Sequence, residues 1–459
     1  MYRKICIGLL LAGTVGYMAC NDGGKDPVKG NEGGFSIGCD STNPFFSSDI
    51  PHEVDVNVGP GYSGLNPKEQ VCFDYFSWRS FVALNWPANP DGTPMKGKFT
   101  DNPDAPRVWE SYTDPAELFG TGENLLAFGG PIKKVPGLKG LRMISKLSGE
   151  SDIDLPPDIK QATGQPLIDK NLNYALFEIM VNPDEAKYIK DSSLNYASGQ
   201  VGKKINFPAG YYDKGLTGGQ VGAIEIKATW KILVPGVDDT TQFYRRRAVI
   251  YVPAKNSATG KALYLTETVG LVAMHILHKT RQFPMWIWTT FEHNSNAPDS
   301  AALAKGAGNN YLFYNPAATS VTPNTPPSTP YLWQATKPYA AGIAYQGKYG
   351  TQVVQDLAIA DYTQTLNKNW QKALGNSVWA NYRLIASQWG VAKGDNPTVP
   401  QDTIGIPTLT SNPVLETYFQ QSSCLTSCHK FAKDAVGNFA DFSFLLKRAK
   451  KITTVPDKK

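Results

Sequence analysis

The chain has 459 residues and a formal net charge of +5, with 41% hydrophobic and 19% charged positions. The hydrophobic fraction is too high for a disordered protein, so we expect a globular protein. The net positive charge is too small for a nucleic-acid-binding surface, so we do not expect nucleic-acid binding. The 42 glycines and 33 prolines favour many turns and disfavour long helical bundles.

Residues 1–19 have the pattern of an export signal. Arg3 and Lys4 precede an apolar run that is too short for a stable membrane helix. Residues 16–20 read GYMAC and resemble a bacterial lipobox, in which cleavage leaves a lipid on Cys20; an ordinary signal peptide is the alternative. Residues 20–70 would then be the anchor, a Gly-rich tether and a polar lead-in. The expected location is the cell envelope, at the outer membrane or facing the periplasm rather than at the inner membrane.

A sheet-rich body is predicted for residues 71–390. Apolar spacing in residues 71–86 predicts a helix that packs on a core, and Pro87 ends it. Alternating and β-branched patterns then predict strands in five further ranges: residues 174–181, 223–233, 246–252, part of 263–277, and 284–291. The expected fold class is a β-rich α+β fold.

Two proline-rich stretches interrupt the pattern, and the second one isolates the C-terminus. Residues 315–338 and 391–413 are predicted to be an extended loop and a linker. Residues 414–459 are too few to hold a core alone, so we expect them to pack on the body around a metal or cofactor.

The C-terminal piece contains a motif that suggests the cofactor. Cys424 and Cys428 are followed at once by His429. In c-type cytochromes, two such thiols bind haem covalently and the adjacent histidine ligates the iron, although the usual spacing is C-x-x-C-H and this chain has one residue more. A disulfide is the main alternative reading. Zinc is disfavoured because the motif supplies three ligands and the nearest other histidine in sequence is His293.

Cysteine usage is consistent with an exported protein. Beyond the signal peptide, Cys20 and the motif, the chain has Cys39 and Cys72, which are candidates for a disulfide. Four exported cysteines could also form two disulfides with three possible connectivities.

Several sequence blocks resemble uncharacterised bacterial exported proteins of the cytochrome c family. The longest reads VGLVAMHILHKT in residues 269–280 and FPMWIWTTFEHNSNAP in residues 283–298, and shorter blocks lie in residues 76–87, 224–231 and 415–446. The resemblance covers most of residues 70–446. It implies a long sheet-rich body and a single C-terminal haem c, but no particular activity, and the relatives carry C-x-x-C-H.

A six-coordinate haem needs a second strong ligand, and few histidines are available. His293 ends an aromatic strand and is our first candidate for the distal position. His275 and His278 lie in an apolar run and are weaker candidates, because such histidines usually belong to the core. Glu292 beside His293 allows a peroxidase-like reading, but adjacent strand residues point to opposite faces. Trp286 and Trp288, on the face opposite His293, are expected in the core, and the alternative is that they flank the haem.

The leading hypothesis is an envelope lipoprotein with one covalent haem that transfers single electrons. Its expected partners are a redox protein, for which the basic residues 447–459 offer a docking surface, and the membrane through the lipid. One alternative is a haem-free, disulfide-bonded lipoprotein that binds a polymer or protein. Another is a haem enzyme with an open sixth position, although the sequence favours an electron carrier over a catalyst.

Overall fold

The structure is a computed structural model that describes most of the predicted body and the C-terminal piece. The described residues are 39, 44–56, 67–120, 137–142, 165–215, 217–306, 308, 310–319, 321–327, 332–340, 352–392 and 403–450. The predicted signal peptide, the lipid on Cys20 and most of the tether lie outside them, as do residues 393–402 and 451–459. Within the described ranges, no helix has the length and apolar character needed to cross a membrane.

One mixed sheet of eight strands forms the centre of the described chain, which confirms the predicted sheet-rich α+β fold. The strands are β1 (Lys139–Arg142), β2 (Leu176–Val181), β3 (Ile224–Ile232), β4 (Arg245–Val252), β5 (Leu263–His278), β6 (Ile287–His293), β7 (Tyr382–Ala392) and β8 (Thr403–Ile406). Their order is β1-β4-β5-β6-β7-β8, and β3 joins through β5 and carries β2. The β1–β4 pair is parallel and the other pairs are antiparallel.

Helices and single turns surround the sheet. The α-helices among the described residues are α1 (Pro67–Leu84), α2 (Pro115–Phe119), α3 (Pro183–Asp191), α4 (Ala197–Gln200), α5 (Ser300–Ala304) and α6 (Asp361–Leu374). The helix predicted in residues 71–86 is therefore present as α1. It ends where the Asn85 side chain donates to the carbonyl of Phe81 at 2.8 Å, just before Pro87.

Helices α1 and α6 cover one face of the sheet with aromatic side chains. Trp78 stacks on Trp370 with ring centroids 5.3 Å apart, and its indole N–H donates to Asn367 Oδ1 at 2.9 Å. Phe81 stacks on Phe291 of β6 at 4.2 Å. Buried aromatic pairs of this kind contribute large areas of apolar contact, so this face is the main core of the protein.

The C-terminal piece covers the opposite face. Leu425, Phe442 and Leu446 pack in one buried cluster with Trp286, which directly precedes β6, and with Trp288 of β6. The predicted docking of this piece on the body is therefore present. Because both faces of the central strands are covered, all seven residues of β6 are buried.

The second proline-rich stretch is part of the sheet rather than only a linker. Residues Thr403–Ile406 form β8, which pairs antiparallel with β7 from Trp389 to Ala392. The strand passes directly into the C-terminal piece, so this piece is attached to the edge of the sheet. Within the predicted linker of residues 391–413, residues 391–392 thus belong to β7 and residues 403–406 to β8.

Cys39 and Cys72 are joined by a disulfide that spans 33 residues of sequence. Cys72 lies in α1, and its buried side chain packs with Phe73 and Trp389. The bond connects the segment before the body to the first helix of the core.

We expect Cys72→Ala to lower the free energy of unfolding by about 2–4 kcal/mol, because the disulfide restricts the unfolded chain. Urea unfolding of the wild type and the variant measures the difference. A reductant should destabilise the wild type by a similar amount and leave the variant unchanged. Equal unfolding midpoints for the two proteins without reductant would show that the bond does not stabilise the fold.

Candidate functional site

The two cysteines of the motif lie in a single π-helical turn, Cys424–Cys428. The backbone N–H of His429 donates to the carbonyls of Cys424 and Leu425, so the hydrogen-bonded turn contains one residue more than an α-helical turn. The extra residue between the cysteines is thus absorbed within the turn. Single π turns of this kind are frequent at functional sites.

The π turn is fixed to β7 through one side chain. Gln388 Oε1 accepts from the Ser423 hydroxyl at 3.2 Å and from the backbone N–H of Leu425 at 3.1 Å. Ser423 also caps the turn, because its hydroxyl accepts from the N–H of Thr426 at 3.1 Å. Gln388 therefore sets the position of both cysteines relative to the sheet.

His429 is held in a defined orientation between two aromatic rings. Its Nδ1 lies 2.8 Å from the carbonyl oxygen of Phe442, which can only accept, so Nδ1 carries the hydrogen and Nε2 keeps its lone pair. The rings of Trp288 and Phe444 lie 4.5 Å and 4.9 Å away. Burial lowers the pKa of His429 to about 4, so Nε2 is unprotonated at neutral pH and can bind a metal.

The carbonyl that orients His429 belongs to a strained turn. Asp441 and Phe442 both have positive φ angles, 50° and 69°, which cost non-glycine residues energy. Asp441 compensates with three contacts: its carbonyl accepts from the indole of Trp286 at 3.0 Å, and its Oδ2 accepts from the N–H of Phe207 at 2.7 Å and from Lys279. These buried contacts hold the turn, and through it the imidazole.

His275 and Glu416 lie beside Cys424. His275 Nε2 is 2.6 Å from Glu416 Oε1, and Glu416 Oε2 accepts from the N–H of Asn412 at 2.8 Å. A nitrogen of His275, an oxygen of Glu416 and the sulfur of Cys424 all lie within 4.8 Å of one another. This is the closest set of metal-binding groups in the described part of the chain.

The charges of this group act on the thiol. Burial opposes ionisation of Glu416, but the neighbouring His275 holds its pKa below the ordinary value. Burial raises the pKa of Cys424 well above its ordinary value, and the negative charge of Glu416 raises it further. Cys424 and Cys428 are not joined in a disulfide, so the second disulfide of the haem-free alternative is not formed.

The two faces of the sheet separate the three histidines proposed as distal ligands. On β5, Met274 and Ile276 pack in the α1 core, whereas Leu277 packs with the C-terminal piece. His275 therefore faces the motif, and His278 faces α1, where it contacts Phe76 at 5.4 Å. His278 Nε2 lies 2.7 Å from the carbonyl of Val221, and burial lowers its pKa to about 4.

The preference for His293 is not supported by its surroundings. His293 Nε2 lies 3.1 Å from the carbonyl of Gln242, and its Nδ1 accepts from the N–H of Ser295 at 3.2 Å. Both ring nitrogens therefore have backbone partners, and burial lowers the pKa of the ring to about 4. It follows Phe291 on the α1 side of β6, away from Trp288, so we assign it to the core.

The structure also shows the surroundings of two other residues of β6, Glu292 and Trp288. Glu292 does not act with His293; it forms a buried ion pair with Arg383, whose Nε and Nη2 lie 2.9 Å and 2.7 Å from Oε1. Trp288 is buried, as expected, but it is also the aromatic wall beside His429. The face of β6 that contacts the motif is thus the one to which Trp288 points.

The argument against zinc counted ligands only along the sequence. Folding brings His275 and Glu416 to Cys424 from 149 and eight residues away, so more than the three motif ligands are available. Glu416 and Phe442 were not identified as site residues from the sequence. Both lie in residues 415–446, one of the blocks on which the expected family resemblance rests.

Comparison with known proteins gives no further assignment. The chain matches no family model, no curated protein and no solved structure. The function must therefore be argued from the site itself.

We expect Glu416→Gln to increase the alkylation rate of Cys424 about two- to tenfold at pH 8–9, because loss of the negative charge lowers the thiol pKa and increases the thiolate fraction. The rate is measured with iodoacetamide on haem-free protein in a Cys428→Ser background. Glu267→Gln, which removes a carboxylate paired with Lys337, is the control. Equal rates in the two variants would rule out electrostatic control by Glu416.

Proposed function

We propose that this protein is an envelope lipoprotein that carries one haem c on Cys424 and Cys428 and transfers single electrons. The observation that carries the proposal is the orientation of His429. Its Nδ1–H donates to a backbone carbonyl, which leaves Nε2 as a neutral ligand directly after two thiols. The lipid on Cys20 would attach the body to the membrane.

The residues present fit a haem. The π turn brings the two thiols into one turn despite the longer spacing, and Cys424, Cys428 and His429 are all partly exposed. The rings of Trp288 and Phe444 supply the apolar contact that a porphyrin requires. When bound, haem c supplies a one-electron iron couple whose potential depends on its axial ligands and burial.

The chain would fix the position of the His429 imidazole and exclude water from one side of it. Phe442 fixes the imidazole of His429, and Trp288 and Leu425 exclude water from its sheet side. The partly exposed side of the π turn gives a redox partner access to the site. Rigid placement of this kind keeps reorganisation small when an electron arrives.

His275 is our proposed distal residue. It lies on the same face of the sheet as the motif, and the Glu416 carboxylate holds its ring. Besides burial, the charge of His275 helps to lower the pKa of His429. His293 and His278 are on the α1 side and are not proposed as ligands.

We expect the wild type, expressed with cytochrome c maturation factors, to give a haem-stained band on a denaturing gel. Cys424→Ser/Cys428→Ser should abolish the band, because no thioether bond can form. Cys39→Ser/Cys72→Ser is the matched control and should keep it. A wild type without covalent haem would overturn the proposal.

We expect His275→Ala to change the low-spin ferrous spectrum of the haem-loaded protein, because it removes the distal ligand. His293→Ala should leave the spectrum unchanged, since that ring is bound to backbone groups on the other face. The reverse pattern would contradict the assignment of His275.

Carbon monoxide binding to the ferrous wild type would indicate an open sixth position and favour a haem enzyme, with His275 and Glu416 as its acid–base pair.

A second candidate function is binding of a single metal ion without haem. The ligand atoms of His275, Glu416 and Cys424 lie within 4.8 Å of one another. Imidazole and thiolate ligands favour zinc or copper. If the wild type lacks haem, one equivalent of bound zinc that is lost in His275→Ala would support this function.

A further inference from the structure

Two buried carboxyl groups lie next to the site and take no part in the proposed ligation. Glu185 of α3 has no exposed surface, and Glu225 of β3 is 8% exposed. Both oxygens of Glu185 and Oε1 of Glu225 lack any hydrogen-bond donor from the other described groups. Asn182 Oδ1 accepts from the backbone N–H of Glu185 at 3.1 Å and from that of Ile224, beside Glu225, at 3.0 Å. The two residues are therefore neighbours, and their carboxyl groups act on each other as hydrogen-bond partners. Two carboxyls can form such a bond only when one of them carries a proton.

The net charge of the surrounding groups also favours one bound proton on the pair. Besides the pair, the charged groups that act on it are Asp441, Lys279 and Arg448. With both glutamates ionised, these five groups sum to one negative charge in a buried space. One proton on the pair makes the cluster neutral, which is the state that burial favours. Burial raises the pKa of Glu185 well above its ordinary value and that of Glu225 to about 7.

The pair is connected to His429 through the strained turn. The Ser443 side chain lies beside Glu225 and acts on its carboxyl group. Ser443 directly follows Phe442, whose carbonyl accepts the Nδ1–H of His429. Asp441, on the other side of Phe442, binds Lys279. The protonation state of the pair and the environment of His429 are thus linked over a few bonds.

We infer that Glu185 and Glu225 form a proton-binding site whose occupancy changes with the oxidation state of the group held by His429. The inference rests on the proposed haem. Reduction would add one electron from a redox protein or chemical reductant, and the pair would take up one proton from water; Glu225, at 8% exposed, is the more accessible of the two groups. Oxidation releases the electron and the proton. The protein would then couple electron transfer to proton binding.

The direct test measures the midpoint potential of the haem-loaded full chain between pH 5 and pH 9. In the wild type we expect the potential to fall as pH rises, by up to about 59 mV per pH unit, which is a tenfold change for a one-electron couple. Glu185→Gln/Glu225→Gln reproduces the protonated shape without titrating, so its slope should be smaller. Asp74→Asn, which alters another buried carboxyl with a raised pKa, should keep the wild-type slope.

A second measurement does not need haem. Because the pKa of Glu225 rises from 4.5 to about 7 on folding, the folded state binds more protons than the unfolded state between these values. The free energy of unfolding of the wild type should therefore fall, relative to the double variant, as pH rises through this interval. Urea unfolding of haem-free protein at several pH values measures it.

The outcomes separate this inference from the proposed function. Equal slopes of potential against pH in the wild type and the double variant would overturn the redox link, even with haem fully bound. If the slope of potential against pH were lost in Asp74→Asn instead, the redox-linked proton would be assigned to Asp74 and not to the glutamate pair. In haem-free protein, parallel stability curves for the wild type and the double variant would show that the pair holds no proton.

Discussion

The central strands are buried on both faces, and this constraint determines where every group of the site can lie. Along a strand, successive side chains point to opposite sides, so neighbouring residues enter two different cores. On β5, Met274 packs under α1 while His275 lies under the C-terminal piece. On β6, the same alternation directs Trp288 to the motif and Phe291 to the helices. A shift of one residue in register would exchange the two sets.

The C-terminal piece gains its order from the sheet. It is too short for an independent core, and its apolar residues complete a cluster with Trp286 and Trp288. Gln388 of β7 holds the π turn, and Asn412 joins the segment to β6 through Thr290 Oγ1 at 3.0 Å and the Phe291 carbonyl at 2.9 Å. The large body is therefore explained in part as the support that positions a short cysteine–histidine segment.

The turn at Asp441 and Phe442 connects the sheet-rich body to His429. Its left-handed backbone is unfavourable by itself, at an order of 1–3 kcal/mol per residue. The Lys279–Asp441 ion pair and the Trp286 indole hold it in place. The same turn carries the carbonyl that orients His429 and the serine that contacts Glu225. Any change of charge at His429 is thus close to a buried group that can respond with a proton.

The sequence alone determined the sheet-rich fold, helix α1, most of the central strands and the cysteine–histidine motif, because hydrophobic period and local spacing are encoded in adjacent residues. It did not identify β8 within the proline-rich stretch, which depends on pairing with β7. It ranked His293 above His275, because His293 ends an aromatic strand whereas His275 lies in an apolar run, where histidines usually belong to the core. Only tertiary packing decides which face of the sheet the motif covers. The same packing brings Glu416 to His275 and Glu185 to Glu225, and no spacing along the chain records those contacts.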